Sequence, residues 1–104
     1  MTSFTLHDLE QRVKARAQAS ADVSYTRRLL DQGVDQCAKK LGEEAIETIL
    51  AAIAEDRERL IAETGDLIYH LLVVLAARGI ALAEVEAELA KRSQQSGLEE
   101  KAGR

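Results

Sequence analysis

Residues 57–78 read RERLIAETGDLIYHLLVVLAAR, and the fold class can be inferred from them. Apolar side chains recur every three or four residues, which is the period of one face of an α-helix. The second half is apolar nearly all round, so we expect it at the centre of the assembly, covered on most faces. Gly79 predicts the end of the helix. The side chains expected on its buried side are Leu60, Thr64, Leu67, Leu71 and Leu75.

The segments before and after this stretch also show helical spacing. The preceding helix is predicted over residues 35–54, with apolar side chains along one arc that fits packing on a partner helix. That arc comprises Val34, Cys37, Leu41, Ala45, Ile49 and Ala52. The other predicted helices span residues 6–19, 24–30 and 80–92, with a loop over residues 20–24. Thr5 and Asp8 form a capping pattern at the first, Ser24 caps the second, and Gly33 ends it.

The composition favours an all-α fold. The 104 residues include no proline, only 3% aromatic residues, and many alanines and leucines, which are good helix formers. We predict an antiparallel bundle of four to five helices in a single domain over residues 1–92, followed by a polar C-terminal tail over residues 93–104. A chain this short buries a modest fraction of its surface, so we expect an intertwined homodimer that completes the core.

Charge and cysteine usage exclude several classes of protein. The net charge of −4 and the absence of a basic block disfavour binding to nucleic-acid phosphates. Cys37 is the only cysteine, so no intramolecular disulfide can form, and no Cys/His cluster has the spacing of a zinc site. The N-terminus lacks a signal-peptide pattern, and the longest apolar run, Leu71–Ala77, is too short to cross a bilayer. We expect a cytoplasmic protein that binds neither nucleic acid nor membrane.

Two pairs of acidic residues lie on consecutive predicted helices. Glu44 and Glu47 form one pair, with Glu43 beside them, and Glu63 and Asp66 form the other. Residues three apart share a helix face, so antiparallel packing of the two helices would bring both pairs together. Clustered carboxylates repel unless a cation binds them, and Mg²⁺ accepts carboxylate oxygens while keeping positions for water or phosphate. The pattern indicates a magnesium site for attack of water on a phosphate anhydride.

Less specific explanations of these residues stay open. The acids could be an ordinary solvated surface, with Lys40 paired to a neighbouring acid at helical spacing. Gly42 and Gly65 lie inside predicted helices, where glycine costs about 1 kcal/mol relative to alanine. Either a close approach of the two helices or a simple packing notch would explain them. His70 could contact substrate or be a hydrogen-bonded histidine between helices.

Three runs of sequence resemble a known family. Residues 24–26 read SYT, residues 40–47 read KLGEEAIE and residues 63–70 read ETGDLIYH. Together they resemble the phosphoribosyl-ATP pyrophosphohydrolases of histidine biosynthesis, a branch of the all-α nucleoside triphosphate pyrophosphohydrolases, which share the signature E-x-x-E followed by E-x-x-D. The similarity extends from about Leu6 to Arg92. The resemblance implies a dimer and a Mg²⁺ site formed by Glu44, Glu47, Glu63 and Asp66.

The activity that this resemblance implies is hydrolysis of phosphoribosyl-ATP, a nucleotide, to phosphoribosyl-AMP and pyrophosphate. Catalytic roles are expected for Glu43, Glu44 and Glu47. Substrate contacts are expected from Lys40, Tyr69, His70 and Arg27, with Arg28 as a further candidate for phosphate. Two alternatives are a general housecleaning nucleoside triphosphate pyrophosphatase and a non-catalytic helical dimerisation module.

Overall fold

The computed structural model describes residues 3–94, and within this range the protein consists of five α-helices without a β-strand. The helices are α1 (Leu6–Ala17), α2 (Tyr25–Asp31), α3 (Val34–Ala54), α4 (Arg57–Ala77) and α5 (Leu82–Arg92). The prediction of an all-α fold is confirmed. Each predicted helix is present, with ends that agree within two residues. Most of the predicted tail, residues 95–104, lies outside the described residues.

Local capping sets the ends of the first helices. The Thr5 hydroxyl accepts a hydrogen bond from the Asp8 amide, and the Asp8 carboxylate accepts one from the Thr5 amide, which confirms the predicted capping box. The Ser24 side chain caps α2 in the same way by accepting from the Arg27 amide. Between α2 and α3 the chain turns at Gly33, whose φ of +95° is in the region that favours glycine.

Helices α3 and α4 form an antiparallel hairpin with the most extensive contact between any two helices of the described chain. The connection contains only Glu55 and Asp56, and the Asp56 side chain caps α4. Farther from the turn, the Thr48 hydroxyl lies 2.8 Å from the Glu44 carbonyl oxygen and 3.1 Å from the Glu63 carbonyl oxygen, so it can donate to either. The Thr48 hydroxyl therefore lies between the backbones of the two helices at this level of the hairpin.

The core surrounds the second half of α4. Its buried residues come from four helices: Val13, Leu29, Cys37, Leu72 and Val73. Helices α1, α2 and α3 all pack against α4, which confirms its predicted central position. The Cys37 thiol donates to the Leu29 carbonyl oxygen at 3.2 Å, so this cysteine is a small core residue.

Helix α5 is attached to α1 by polar contacts at its beginning and middle. The Leu82 amide donates to the Glu10 carboxylate at 2.7 Å, and the His7 and Glu86 side chains lie 2.9 Å apart. No residue of α5 is fully buried. The helix therefore contributes little to the core.

The predicted burial of Ile49, Ala52 and Leu71 is wrong for the single chain, in which all three are exposed. Each step of four residues along a helix rotates about 40° beyond a full turn, so the three steps from Cys37 to Ile49 rotate the side chain by about 120°. The α3 residue buried against α4 near this end is Ala51 instead.

Both long helices of the hairpin carry exposed apolar side chains. Those on α3, which we call the isoleucine face, are Ile46, Ile49, Leu50 and Ile53. They are 54–78% exposed, and on α4 Ile61 and Leu71 are 57% and 42% exposed. Contiguous apolar surface of this kind is typical of a region that another protein surface covers.

Helix α4 has the length and hydropathy that a membrane-crossing helix needs, which the run Leu71–Ala77 alone does not indicate. A core helix of a soluble protein meets the same criteria. Helix α4 carries three acids, and two of them, Glu63 and Asp66, lie within its apolar part. Each charged side chain at the bilayer centre costs about 2.5–3.5 kcal/mol, so these acids favour cover by protein over cover by lipid. The prediction of no membrane contact stays a prediction.

Candidate active site

Three of the four predicted metal ligands converge where α3 and α4 pack together. One carboxylate oxygen from each of Glu44, Glu63 and Asp66 lies within 4.8 Å of the other two. Glu63 is buried, Glu44 half-buried and Asp66 exposed, so the cluster leads from the helix interface to the surface. The antiparallel hairpin produces this arrangement because each acid pair lies at a similar distance from the connecting turn.

The three carboxylates form part of a polar cleft of about 460 Å³. The cleft is lined by Lys40, Glu43, Glu44, Glu47, Arg59, Glu63 and Asp66. Glu47, the fourth predicted ligand, lines the cleft but does not belong to the group of three. The structure thus brings together every acid that the sequence singled out on both helices.

Lys40 is held at the cleft by Glu43. Its ammonium lies 3.3 Å from the Glu43 carboxylate, and this hydrogen bond, aided by the nearby Tyr25 hydroxyl, raises the pKa of Lys40. Lys40 therefore carries its positive charge throughout the neutral range. The alternative in which Lys40 pairs with a neighbouring acid is therefore correct. Both residues of this pair also line the cleft.

Arg59 is a site residue that the sequence analysis missed. Its guanidinium lies 3.0 Å from the Glu63 carboxylate and 3.9 Å from that of Glu55. The Glu63 side chain is only 8% exposed, and a buried carboxylate is costly without a partner. Arg59 supplies that partner. The four-residue spacing from Arg59 to Glu63 was the available signal, because such pairs meet on a helix.

Gly42 and Gly65 do not mark a close contact of helices within the chain. A Cβ added at either position would meet no atom within 4 Å beyond its own helix and chain neighbours. Of the two explanations offered for these glycines, a close approach of the helices is therefore wrong for the single chain. The two glycines precede Glu43 and Asp66, and they leave open space beside the acids.

His70 is buried between the acidic cleft and an aromatic cluster. Its Nδ1 lies 2.8 Å from the Asp66 carbonyl oxygen, which can only accept, so Nδ1 carries the proton. Nε2 lies 3.5 Å from the Tyr25 hydroxyl. His70 also contacts the Tyr69 ring edge-on, with centroids 4.9 Å apart. The interpretation as a hydrogen-bonded histidine between helices fits these contacts, and direct contact with substrate stays a prediction.

A second cleft of about 410 Å³ contains Tyr25 and Tyr69. It is lined by Arg16, Ala19, Val23, Ser24, Tyr25, Thr26 and Tyr69. The two tyrosine rings are nearly parallel, with centroids 6.4 Å apart, and the Tyr69 hydroxyl bonds to that of Thr26. Burial raises the pKa of the Tyr25 hydroxyl, Lys40 lowers it, and the charge of Glu44 raises it further. Tyr25 is thus electrostatically coupled to the acidic cleft.

Arg27 and Arg28, both candidates for phosphate contact, line neither of these clefts. Arg27 donates to the Ala17 carbonyl oxygen at 3.2 Å and pairs with Asp31 at 2.9 Å. Arg28 donates to the Ala21 carbonyl oxygen at 2.6 Å. Both guanidinium groups therefore hold the end of α1 and the loop that follows, and a role toward substrate stays a prediction.

The acidic cleft is suited to a hard divalent cation. Opposite ligands of Mg²⁺ are about 4.2 Å apart, so oxygens within 4.8 Å of one another need only small side-chain rotations to bind one ion. Asp66 is exposed, so water or phosphate oxygens could fill the remaining positions. Such a site would polarise a phosphoryl group and favour attack by water.

Comparisons with known proteins agree with this chemistry. A sequence profile described as phosphoribosyl-ATP pyrophosphohydrolase matches residues 6–93. The chain is 61% identical to phosphoribosyl-ATP pyrophosphatase 1 of Bradyrhizobium diazoefficiens, over all of this chain and 98% of the relative. It is 62% identical to phosphoribosyl-ATP pyrophosphatase of Azorhizobium caulinodans, over 96% of this chain and 92% of the relative. The enzyme of the same name from Rhizobium meliloti is 54% identical, over all of this chain and 97% of the relative.

Proposed function

The chain belongs to the phosphoribosyl-ATP pyrophosphohydrolase family, and from this premise we propose that the acidic cleft between α3 and α4 is its active site. The reaction is hydrolysis of phosphoribosyl-ATP between the α and β phosphates, giving phosphoribosyl-AMP and pyrophosphate in histidine biosynthesis. The observation that carries the assignment of the site is the convergence of the Glu44, Glu63 and Asp66 carboxylates within 4.8 Å.

Mg²⁺ is the cofactor that these residues would hold. Glu44, Glu63 and Asp66 are close enough for direct coordination, and Glu47 lines the same cleft and could bind a second ion or a coordinated water. When bound, the ion neutralises negative charge on the triphosphate and makes the phosphorus easier to attack. Without a cation, an anionic substrate would be repelled by the acids of the cleft.

Glu47 is the best candidate for orienting or deprotonating the attacking water. Its carboxylate is exposed in the cleft and makes no hydrogen bond or ion pair with another residue of the described range. Glu43 is already paired with Lys40, and Glu44 belongs to the metal cluster. Of the three acids predicted to be catalytic, Glu47 alone is therefore free to accept a proton.

Lys40 is the cation best placed to contact the phosphates. It is charged, lines the cleft and lies on α3 one turn before Glu44. A flexible ammonium can bind phosphate as a point charge while its partner Glu43 keeps it near the metal cluster. Arg59 could also contact the phosphates if a bound cation took its place beside the Glu63 carboxylate.

The experiment that tests the function compares substrates and products. The metal-free protein with added Mg²⁺ should release pyrophosphate from phosphoribosyl-ATP and form phosphoribosyl-AMP. Release of single phosphate, or faster turnover of ordinary or damaged nucleoside triphosphates, would instead support a general pyrophosphatase. A Mg²⁺-dependent activity that vanishes on chelation would support the cofactor, and full activity in a chelator would contradict it.

A homodimer would cover the isoleucine face. Four large apolar side chains of α3 are more than half exposed, and α4 adds Ile61 and Leu71. A second copy of the chain could bury this surface by hydrophobic association. We place the enzyme in the cytoplasm. The substitution Ile49→Asp should then lower the mass measured by light scattering from about twice 11.4 kDa to 11.4 kDa. A parent protein that is already monomeric would overturn the dimer.

A further inference from the structure

The second cleft, which contains Tyr25 and Tyr69, differs in chemistry from the acidic cleft. Among residues 3–94, its lining offers two aromatic rings, two small hydroxyl side chains and one guanidinium, and none of these lining residues is an acid. Its volume of about 410 Å³ lies in the range of small-molecule sites. Rings and a cation together suit a ligand that has a planar base and a negative group.

Tyr25 connects the two clefts. Its side chain lines the second cleft, its hydroxyl is 3.5 Å from His70, and His70 is bonded to the Asp66 backbone. The charges of Lys40 and Glu44 in the acidic cleft act on the same hydroxyl. A molecule whose phosphates lie at the carboxylate cluster could therefore extend past Tyr25 into the second cleft.

Arg16 is the cation of the second cleft, and it makes no hydrogen bond, ion pair or ring contact through its side chain with other residues in the range 3–94. Its backbone is fixed, because the Ser24 hydroxyl and the Ala19 amide both donate to the Arg16 carbonyl oxygen, at 2.8 and 3.1 Å. The neighbouring Arg27 and Arg28 use their guanidinium groups within the protein. Arg16 alone of these three is available to an anionic ligand.

We propose that the second cleft binds the part of phosphoribosyl-ATP that remains after pyrophosphate leaves, with the Tyr25 ring stacked on the purine and Arg16 paired with the phosphate of the added phosphoribosyl group. This inference rests on the proposed function. The phosphoribosyl group is what distinguishes the substrate from ATP, and its phosphate carries about two negative charges near neutral pH. A site that selects this substrate needs a cation outside the metal cleft, and Arg16 fills that role. Arg16 would then be a specificity-determining residue.

Two ligands that differ only in the phosphoribosyl group give the cleanest test. The affinities of phosphoribosyl-AMP and AMP for the intact protein would be measured by calorimetry. Arg16→Gln should lower the affinity for phosphoribosyl-AMP by about 10- to 100-fold, which is the usual effect of losing a charge-assisted hydrogen bond. The same substitution should leave the affinity for AMP unchanged. Arg57→Gln, at an exposed arginine that lines neither cleft, removes the same charge and should change neither affinity.

The stacking part of the proposal is tested at Tyr25. Tyr25→Leu removes the ring and should lower the affinities for AMP and phosphoribosyl-AMP alike by about 10-fold, because both ligands carry the purine. Tyr25→Phe keeps the ring, loses the hydroxyl, and should bind both ligands as the parent does. The residue is 49% exposed, so both variants should fold.

Each outcome separates this inference from the proposed function. Equal binding of phosphoribosyl-AMP by the parent and Arg16→Gln would overturn the role of Arg16, even if the protein hydrolyses phosphoribosyl-ATP. An equal loss of affinity for AMP and phosphoribosyl-AMP in Arg16→Gln would also overturn the role of Arg16, since the effect would not depend on the phosphoribosyl phosphate. A parent that releases no pyrophosphate from phosphoribosyl-ATP would instead overturn the proposed function.

Discussion

Replacing Asp66 by asparagine separates a metal site from an ordinary salt-bridged surface. The substitution keeps the shape of the side chain but removes one negative charge from a cluster that includes Glu44 and Glu63. If the cluster exists to bind Mg²⁺, the acids oppose folding when no cation is present. The metal-free variant should then be more stable than the parent, although it loses activity.

The size of the gain follows from the spacing of the oxygens. At 4.8 Å, two unit charges repel by about 0.9 kcal/mol in water and by about 3.5 kcal/mol at an effective dielectric constant of 20. Asp66 is exposed, so the value for water applies better. Salt screening, and the neutralisation of Glu63 by Arg59, reduce the repulsion from its two neighbours to about 1 kcal/mol in total. For a domain of this size, that raises the melting temperature by about 4–8 °C.

The assay is thermal unfolding of metal-free protein with and without added Mg²⁺, together with pyrophosphate release. The parent should gain about 2.7 kcal/mol when the ion is present at 100 times its Kd. Asp66→Asn should start from a higher melting temperature, respond much less to Mg²⁺, and turn over phosphoribosyl-ATP at least about 100-fold more slowly.

Asp22→Asn is the matched control. The Asp22 carboxylate lines neither cleft and makes no hydrogen bond or ion pair with the rest of the described chain. It should leave the response to Mg²⁺ and the turnover unchanged. A metal-free Asp66→Asn protein that melts below the parent and keeps parental turnover would refute the metal site, because that pattern is typical of a lost salt bridge.

Other substitutions test the remaining parts of the structure. Glu47→Gln should reduce kcat by about 100-fold or more at saturating Mg²⁺ without lowering metal-free stability, and near-parental kcat would exclude Glu47 as the base. Arg59→Gln should lower metal-free stability by about 1–3 kcal/mol, because the buried Glu63 loses its partner, and Mg²⁺ should restore more stability than it adds to the parent; an unchanged melting temperature would contradict this. Burial raises the pKa of the Cys37 thiol, so it should react with a thiol reagent at pH 8 far more slowly in the native than in the denatured protein, and equal rates would show that it is accessible.

The fold was largely predictable because local signals and apolar spacing agree along the chain. The Thr5–Asp8 capping box and the glycines at positions 33 and 79 predict helix ends that the structure confirms. The buried faces were harder to assign. A series of four-residue steps leaves the buried face of a long helix after a few turns, so it predicts burial of Ile49, whereas the buried residue of α3 in this region is Ala51.

The acids of the site were predictable because their spacing and the hairpin act together. Their spacing places Glu44 on the side of α3 next to α4, and Glu63 and Asp66 on the side of α4 next to α3. Antiparallel packing of the two helices is then enough to make the three acids converge. The contacts that hold them were not predictable in the same way. The Thr48 hydroxyl lies within hydrogen-bond distance of carbonyl oxygens on both helices, and threonine inside a helix gives little sign of such a position.

The cation of the second cleft depends on a contact that no periodicity describes. Arg16 lies on α1, and Tyr25 and Thr26 lie on α2, so their meeting with Tyr69 on α4 requires the packing of three helices. The resemblance to a family singled out the SYT run but gave no reason for it. The structure supplies a physical reason, because this run places a ring and a hydroxyl beside an arginine whose guanidinium has no partner in the described chain.

Glu63 shows how the energetic cost of a residue indicates its function. A carboxylate that is 8% exposed on the most apolar helix weakens the core unless a positive charge is near. Arg59 offsets this cost from the rim, but a long exposed side chain holds its partner only loosely. A divalent cation between Glu63, Asp66 and Glu44 would stabilise all three acids at once, and the exchange of Arg59 for that cation would free a guanidinium beside the triphosphate. The local violation of the apolar pattern on α4 is thus most simply explained by the chemistry of the cleft.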